Sequence, residues 1–157
     1  EATTLNTGLG MAGAVAALGL SAFGSALGTG VAGSAAVGAW KKCYAQGKQA
    51  PFLLLSFVGA PLTQTLYGMI LMFVMLGQAE AGAAGIALLL MGFFAGLAIG
   101  ISAWLQGRCA AAAADAQGET GQGFTNYFAA IGIVETVAIF TMVFAMLAIL
   151  RLPVAAG

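Results

Sequence analysis

Four long apolar stretches separated by three short polar ones dominate the pattern along this chain. They run roughly from Gly8 to Trp40, Pro51 to Leu76, Ala83 to Ala114 and Phe124 to Leu150. A helix crosses a bilayer with about 20 mainly apolar residues and a hydrocarbon core of about 30 Å. At ~1.5 Å per residue each stretch outruns that core, so each helix is expected to protrude or tilt. The linkers KKCYAQGKQA, GQAEAG and DAQGETGQG are short enough to demand antiparallel neighbours. The expected fold is an all-α membrane protein. Its four transmembrane helices form two tandem hairpins, residues 1–78 and 79–157, with both termini on one side.

Composition agrees with the pattern. The chain is 61% hydrophobic and only 6% charged, against about 25% charge in a soluble domain. The formal net charge is zero and histidine is absent, which argues against nucleic-acid binding and removes the usual general base. No P-loop pattern or histidine-based triad is present, so no catalytic site of its own is expected. Cys43 and Cys109 are the only cysteines, too few for a disulfide scaffold or a structural zinc site. Lys41, Lys42 and Lys48 lie in the first linker, Arg108 lies towards the same side, and Arg151 lies opposite. The positive-inside rule then puts linkers 1–2 and 3–4 in the cytoplasm and both termini outside, at the cell membrane. The chain opens on EATTL without an initiator Met, the mark of a processed or truncated start.

The first stretch is rich in small residues. One i, i+4 ridge runs Ala22, Ala26, Gly30, Ser34, Gly38, and its neighbour runs Gly24, Gly28, Ala32, Ala36. The third stretch adds Gly92, Gly96 and Gly100, while Phe57, Tyr67, Phe73, Phe128, Phe140 and Phe144 load the second and fourth. Small ridges let helix backbones approach closely in lipid. Narrow helices inside and wide ones outside make a wedge that suits a closed homo-oligomeric ring. Gly28, Gly30 and Gly33 match GxGxxG, but inside a helical stretch the fingerprint has no preceding strand, so the glycines are expected to serve packing. The halves also look duplicated: Ser25–Ala36 aligns with Ser102–Ala113, pairing Thr29 with Gln106, and a second alignment pairs Gln64 with Glu135.

Glu135 is the one acid deep in an apolar stretch, and an intramembrane acid marks a functional site by default. On the second stretch Ala60, Thr63, Gln64 and Tyr67 fall at i, i+3, i+4 and i+7, one helix face. Gln106 is the other strongly polar neutral side chain deep in a helix. One carboxylate, two amide oxygens and the Thr63 hydroxyl make an oxygen set suited to a hard cation. A single carboxylate balances one positive charge, so a monovalent metal ion, sodium, fits better than calcium. A proton needs only the carboxylate. Tyr67 is placed to hydrogen-bond Glu135. Pro61 removes one backbone N–H and should kink the helix, freeing the Phe57 carbonyl or turning the Ala60 carbonyl to the site. Arg108 is expected to snorkel to the cytoplasmic face; were it to reach Glu135, the carboxylate would already be neutralised.

TQTLYG (Thr63–Gly68), LQGRCAAA (Leu105–Ala112) and VET (Val134–Thr136) resemble the duplicated proteolipids that form the membrane rotor ring of V-type ATPases. The similarity is greatest to the K-type (c-type) proteolipid of bacterial sodium-transporting enzymes, and it covers nearly the whole chain. The resemblance implies sodium (Na+) ligands at Thr63, Gln64, Gln106, Glu135 and the carbonyl of Ala60, with Tyr67 bonding the carboxylate. It also implies a stator a-type subunit and a central-stalk subunit docked on the cytoplasmic linkers as partners. Thr65 and Val137 depart from the family pattern, and neither is a ligand position. Two other readings remain beside it: a proton-translocating (H+) ring of the same family, and a small four-helix proton-coupled exporter.

Overall fold

Helices outrun the apolar stretches at four of their eight ends. The computed structural model describes residues 1–154, so residues 155–157 of the expected second hairpin lie outside it. It places α1 at Ala2–Ala45, α2 at Leu54–Gly59, α3 at Thr63–Glu80, α4 at Gly85–Thr120 and α5 at Phe124–Ile149. Lys41, Lys42 and Asp115–Thr120, expected in linkers, are therefore helical. Hydropathy marks only the part of a helix that meets lipid, and a polar helix end in water has no reason to stop there. The turns tighten accordingly, with Gly47, Gly82, Gly121 and Gly123 at positive φ. At Gly121 (φ 68°) the left-handed conformation lets its N–H cap α4 on the Gln117 carbonyl, a conformation glycine adopts without a Cβ penalty. Four helical spans, counting Leu54–Glu80 as one, are long and apolar enough to cross a membrane. The protein is a multi-pass membrane protein.

The second span is broken where Pro61 predicts it. A 3-10 turn, Ala60–Leu62, separates α2 from α3, so the disturbance is a tightened turn within one continuous span. The Ala60 carbonyl accepts both the Thr63 N–H and, at 3.0 Å, the Thr63 hydroxyl. Of the two carbonyls that the proline could have released, Ala60's is the one beside the polar face.

The tightest packing joins the two hairpins. α1 and α4 run side by side, and their glycines abut: a β-carbon on Gly24 would meet the Gly100 carbonyl, one on Gly92 the Gly13 carbonyl, and one on Gly107 the Gly28 backbone. α3 packs on α1, α5 packs on α4, and α3 also touches α5, so the slim helices form one layer and the bulky ones the other. Of the two small ridges on α1, only Gly24, Gly28, Ala32 and Ala36 is buried; Ala26, Gly30, Ser34 and Gly38 are exposed. Both ridges are small enough to pack, and a single partner helix covers one. The GxGxxG match divides likewise: Gly28 is wedged between Ala103 and Pro61, while nothing lies within 4 Å of a β-carbon on Gly30.

Asn6 sets the depth at which α1 meets α4. Its amide donates to the Ala83 carbonyl at 2.9 Å and accepts the Gly85 N–H at 2.7 Å, capping α4 from another helix. Asn6→Ala is expected to lower stability by about 1–2 kcal/mol, the usual loss of a cap plus a hydrogen bond, read as a lower melting temperature in mild detergent.

Candidate functional site

A chain of polar side chains and one carbonyl comes together where α3, α4 and α5 meet. Glu135 sits near the middle of α5 on the side facing α3 and α4. Tyr67 on α3 donates its hydroxyl to Glu135 Oε1 at 2.6 Å, and Gln106 Nε2 on α4 lies 3.3 Å from Glu135 Oε2. Gln106 also donates to the Ile131 carbonyl at 3.1 Å. That bond orients its amide, because turning it over would set two oxygens against each other. Gln106 Oε1 is thereby aimed at α3, where it accepts from Gln64 Nε2 at 2.8 Å. The Thr63 hydroxyl lies 3.1 Å from Gln64 Oε1, and its single proton is shared between that oxygen and the Ala60 carbonyl.

Every residue singled out in the sequence is in this cluster: Ala60, Thr63, Gln64, Tyr67, Gln106 and Glu135. The break at Pro61 and the α3 helix period explain the first four. Ala60 opens the turn, Thr63, Gln64 and Tyr67 follow it, and together they present one face to α4 and α5. Gln64 and Gln106 are fully buried, and an unpaired amide there would lose about 1–3 kcal/mol, so each is tied to the other. Glu135, Tyr67, Thr63 and Ala60 are half-buried, which places the carboxylate at the rim of the bundle, within reach of the surroundings.

Arg108 stays away. It is exposed on α4, and among the described residues the one ion pair is Lys42–Asp115 at 2.9 Å. Among the described residues Glu135 therefore has no cationic partner, and its two oxygens have acceptor capacity beyond the Tyr67 and Gln106 bonds. Both cysteines are free thiols.

Ser102 belongs to the site although no motif marks it. One turn from Gln106, it donates to the Val134 carbonyl at 3.1 Å. Ser102 and Gln106 thus hold two α5 carbonyls, Val134 and Ile131, in the turn that leads into Glu135. A serine among glycines and alanines reads as one more small packing residue. The usable signal was its i, i+4 spacing from Gln106.

The donor set is wholly oxygen. Among the described residues no three His, Cys, Asp or Glu side chains gather, so the soft or borderline metals that favour nitrogen and sulfur are a poor match. One carboxylate with the oxygens of Thr63, Gln64, Gln106 and Ala60 can receive one hard monovalent cation, or Glu135 alone can receive a proton.

In comparison with known families, residues 82–148, spanning α4 and nearly all of α5, fit the family model for the C subunit of ATP synthase. Comparison with curated proteins finds no match. The family match covers Gln106 and Glu135.

Proposed function

We propose, from a second hairpin of the ATP synthase C-subunit type, that this chain belongs to the rotor ring of a sodium-transporting V-type ATPase and carries one sodium ion per four-helix unit. The observation that carries the sodium reading is the joining of Gln64 and Gln106 to Glu135 through hydrogen bonds of 2.8 and 3.3 Å. Two fully buried amides are an expensive way to hold a proton, which asks only for the carboxylate. They are what a partly dehydrated metal ion needs in place of water oxygens. Thr63 and the Ala60 carbonyl complete a set of five oxygens, one of them anionic.

The charge balance then explains the turning of the ring. Sodium on Glu135 leaves the site neutral, and a neutral site passes along lipid at little cost. A bare carboxylate there is penalised by several kcal/mol, so an unloaded site moves only where a cationic stator group compensates it. Tyr67 at 2.6 Å from the carboxylate closes the rim while the site travels. In this reading copies of the chain form the closed ring, with the unpacked ridge Ala26, Gly30, Ser34 and Gly38 available to neighbours. An a-type stator subunit lies against α5. The Lys42–Asp115 end is cytoplasmic and carries the central stalk, and both termini are outside. The division at residues 78 and 79 separates an acid-free hairpin from the one that bears Glu135.

The test is sodium protection of Glu135 against a hydrophobic carbodiimide at neutral pH in the purified ring. Millimolar sodium is expected to suppress modification at least tenfold, with potassium ineffective at the same concentration. Modification indifferent to sodium would leave the proton-carrying ring as the reading. A four-helix exporter using Glu135 is disfavoured by the family match of the second hairpin, and would purify as a small oligomer.

A further inference from the structure

We propose that Ser25 is a positioning residue for the ion site: it accepts the Gln64 amide N–H when Gln64 turns its oxygen to a cation. The proposal rests on the sodium reading above and adds a fourth helix, α1, to the site.

The observation is a buried hydroxyl with nothing to bond. Ser25 is 3% exposed, and its Oγ has no hydrogen-bond partner among the described residues. Other hydroxyls on α1 behave differently. Ser21, Thr29 and Ser34 each donate back to the carbonyl four residues earlier, at 2.7, 2.8 and 2.9 Å, the usual resting place for a helical Ser or Thr. Ser25 makes no such bond, and leaving a buried hydroxyl unpaired loses about 1–3 kcal/mol. Its orientation therefore calls for a partner outside its own helix.

The register between α1 and α3 says which. The helices are antiparallel, and three pairs fix their alignment: Gly10 faces Ala79, Ser21 faces Gly68, and Gly28 faces Pro61. Ser25 lies four residues on from Ser21 and three back from Gly28. Gln64 lies four back from Gly68 and three on from Pro61. Ser25 and Gln64 are consequently opposite each other at one level, both on buried faces.

Gln64 needs such a partner. Its Nε2 donates to Gln106 Oε1 at 2.8 Å, so an N–H lies between the two amides where a cation's ligands must be. A cation repels that N–H and attracts both amide oxygens. Gln106 is held by the Ile131 carbonyl, so the group that turns is Gln64. When the amide turns over, its oxygen leaves the Thr63 hydroxyl, now 3.1 Å away, for the side of Gln106 and Glu135, and of its two N–H groups one comes to lie by Thr63 and the other is directed to α1. There Ser25 Oγ is the unpaired acceptor. Without it, the ion-holding orientation of Gln64 would bury an unsatisfied N–H.

The test compares Ser25→Ala with Ser21→Ala in purified rings, reading the sodium concentration that half-protects Glu135 from carbodiimide modification. Both changes delete one buried oxygen and leave the Cβ in place, so packing alone would affect them alike. Ser25→Ala is expected to raise the half-protecting concentration about three- to tenfold, the loss of one neutral hydrogen bond. The modification rate without sodium should be unchanged, and Ser21→Ala should match the wild type. Equal half-protection in Ser25→Ala and wild type, or an equal shift in Ser21→Ala, overturns the role of Ser25 while leaving the sodium site intact. Absence of sodium protection in the wild type overturns both.

Discussion

Glu135→Gln is expected to abolish ion transport, reducing ATP-driven sodium uptake into proteoliposomes at least a hundredfold, while the ring still assembles. The substitution keeps shape and most hydrogen bonds. A glutamine oxygen can accept from Tyr67 as Glu135 Oε1 does at 2.6 Å. The α5 carbonyls held by Ser102 and Gln106 are untouched. What it removes is the single negative charge. With neutral ligands only, a bound sodium would carry its full charge into a low-dielectric surface, where an uncompensated ion is disfavoured by several kcal/mol. Each 1.4 kcal/mol is a tenfold change in occupancy, so two to three such factors suffice to empty the site at working concentrations. Radiolabelled sodium binding to the purified ring should fall in parallel with transport. Uptake retained at a tenth of the wild-type rate or more would show that Glu135 is not the group that balances the ion, and would return it to a merely structural role.

The site was legible in the sequence to an unusual degree because lipid makes polar residues rare. Thr63, Gln64 and Tyr67 on one face, Gln106 and Glu135 each have a physical cost in a membrane that only mutual contact relieves, so their chemistry and their meeting could be argued from the residues alone. Three features resisted. The reach of the helices into Ala2–Ala45 and Gly85–Thr120 was hidden because polarity ends a hydrophobic run without ending a helix. The choice between the two small ridges of α1 was hidden because Gly28 and Gly30 are chemically identical, and only the partner α4 distinguishes them. Ser102, Ser25 and Asn6 were hidden because a small polar residue is cheap in a helix and gives no energetic signal until its hydrogen bond is seen. The duplication did carry more than it first suggested. Ser25 and Ser102 pair in the repeat alignment, and the structure sets the second on an α5 carbonyl and the first opposite Gln64.

Two alanine substitutions of the same kind, five residues apart on α1, should have opposite effects on stability. Gly24→Ala is expected to destabilise the folded chain by more than about 3 kcal/mol, beyond the upper end usual for a tolerated core overpacking. Its β-carbon would overlap the carbonyl, carbonyl carbon and α-carbon of Gly100. Those are backbone atoms of a helix, so no rotamer change makes room; α1 and α4 must separate. Separation at that level also loosens the neighbouring contacts of Gly28 with Ala103 and Gly107, and with them the depth at which Gln106 meets Glu135. Gly19→Ala meets nothing within 4 Å and replaces the most flexible helix residue with the best helix former, a gain of up to about 1 kcal/mol. Thermal unfolding of the two variants in mild detergent reads both predictions. The Gly24 variant should melt well below the wild type and lose carbodiimide protection by sodium, whereas the Gly19 variant should melt at or above it with protection intact. A Gly24→Ala protein as stable as the wild type would mean that α1 and α4 are not in backbone contact at Gly100, and the layer of slim helices would have to be redrawn.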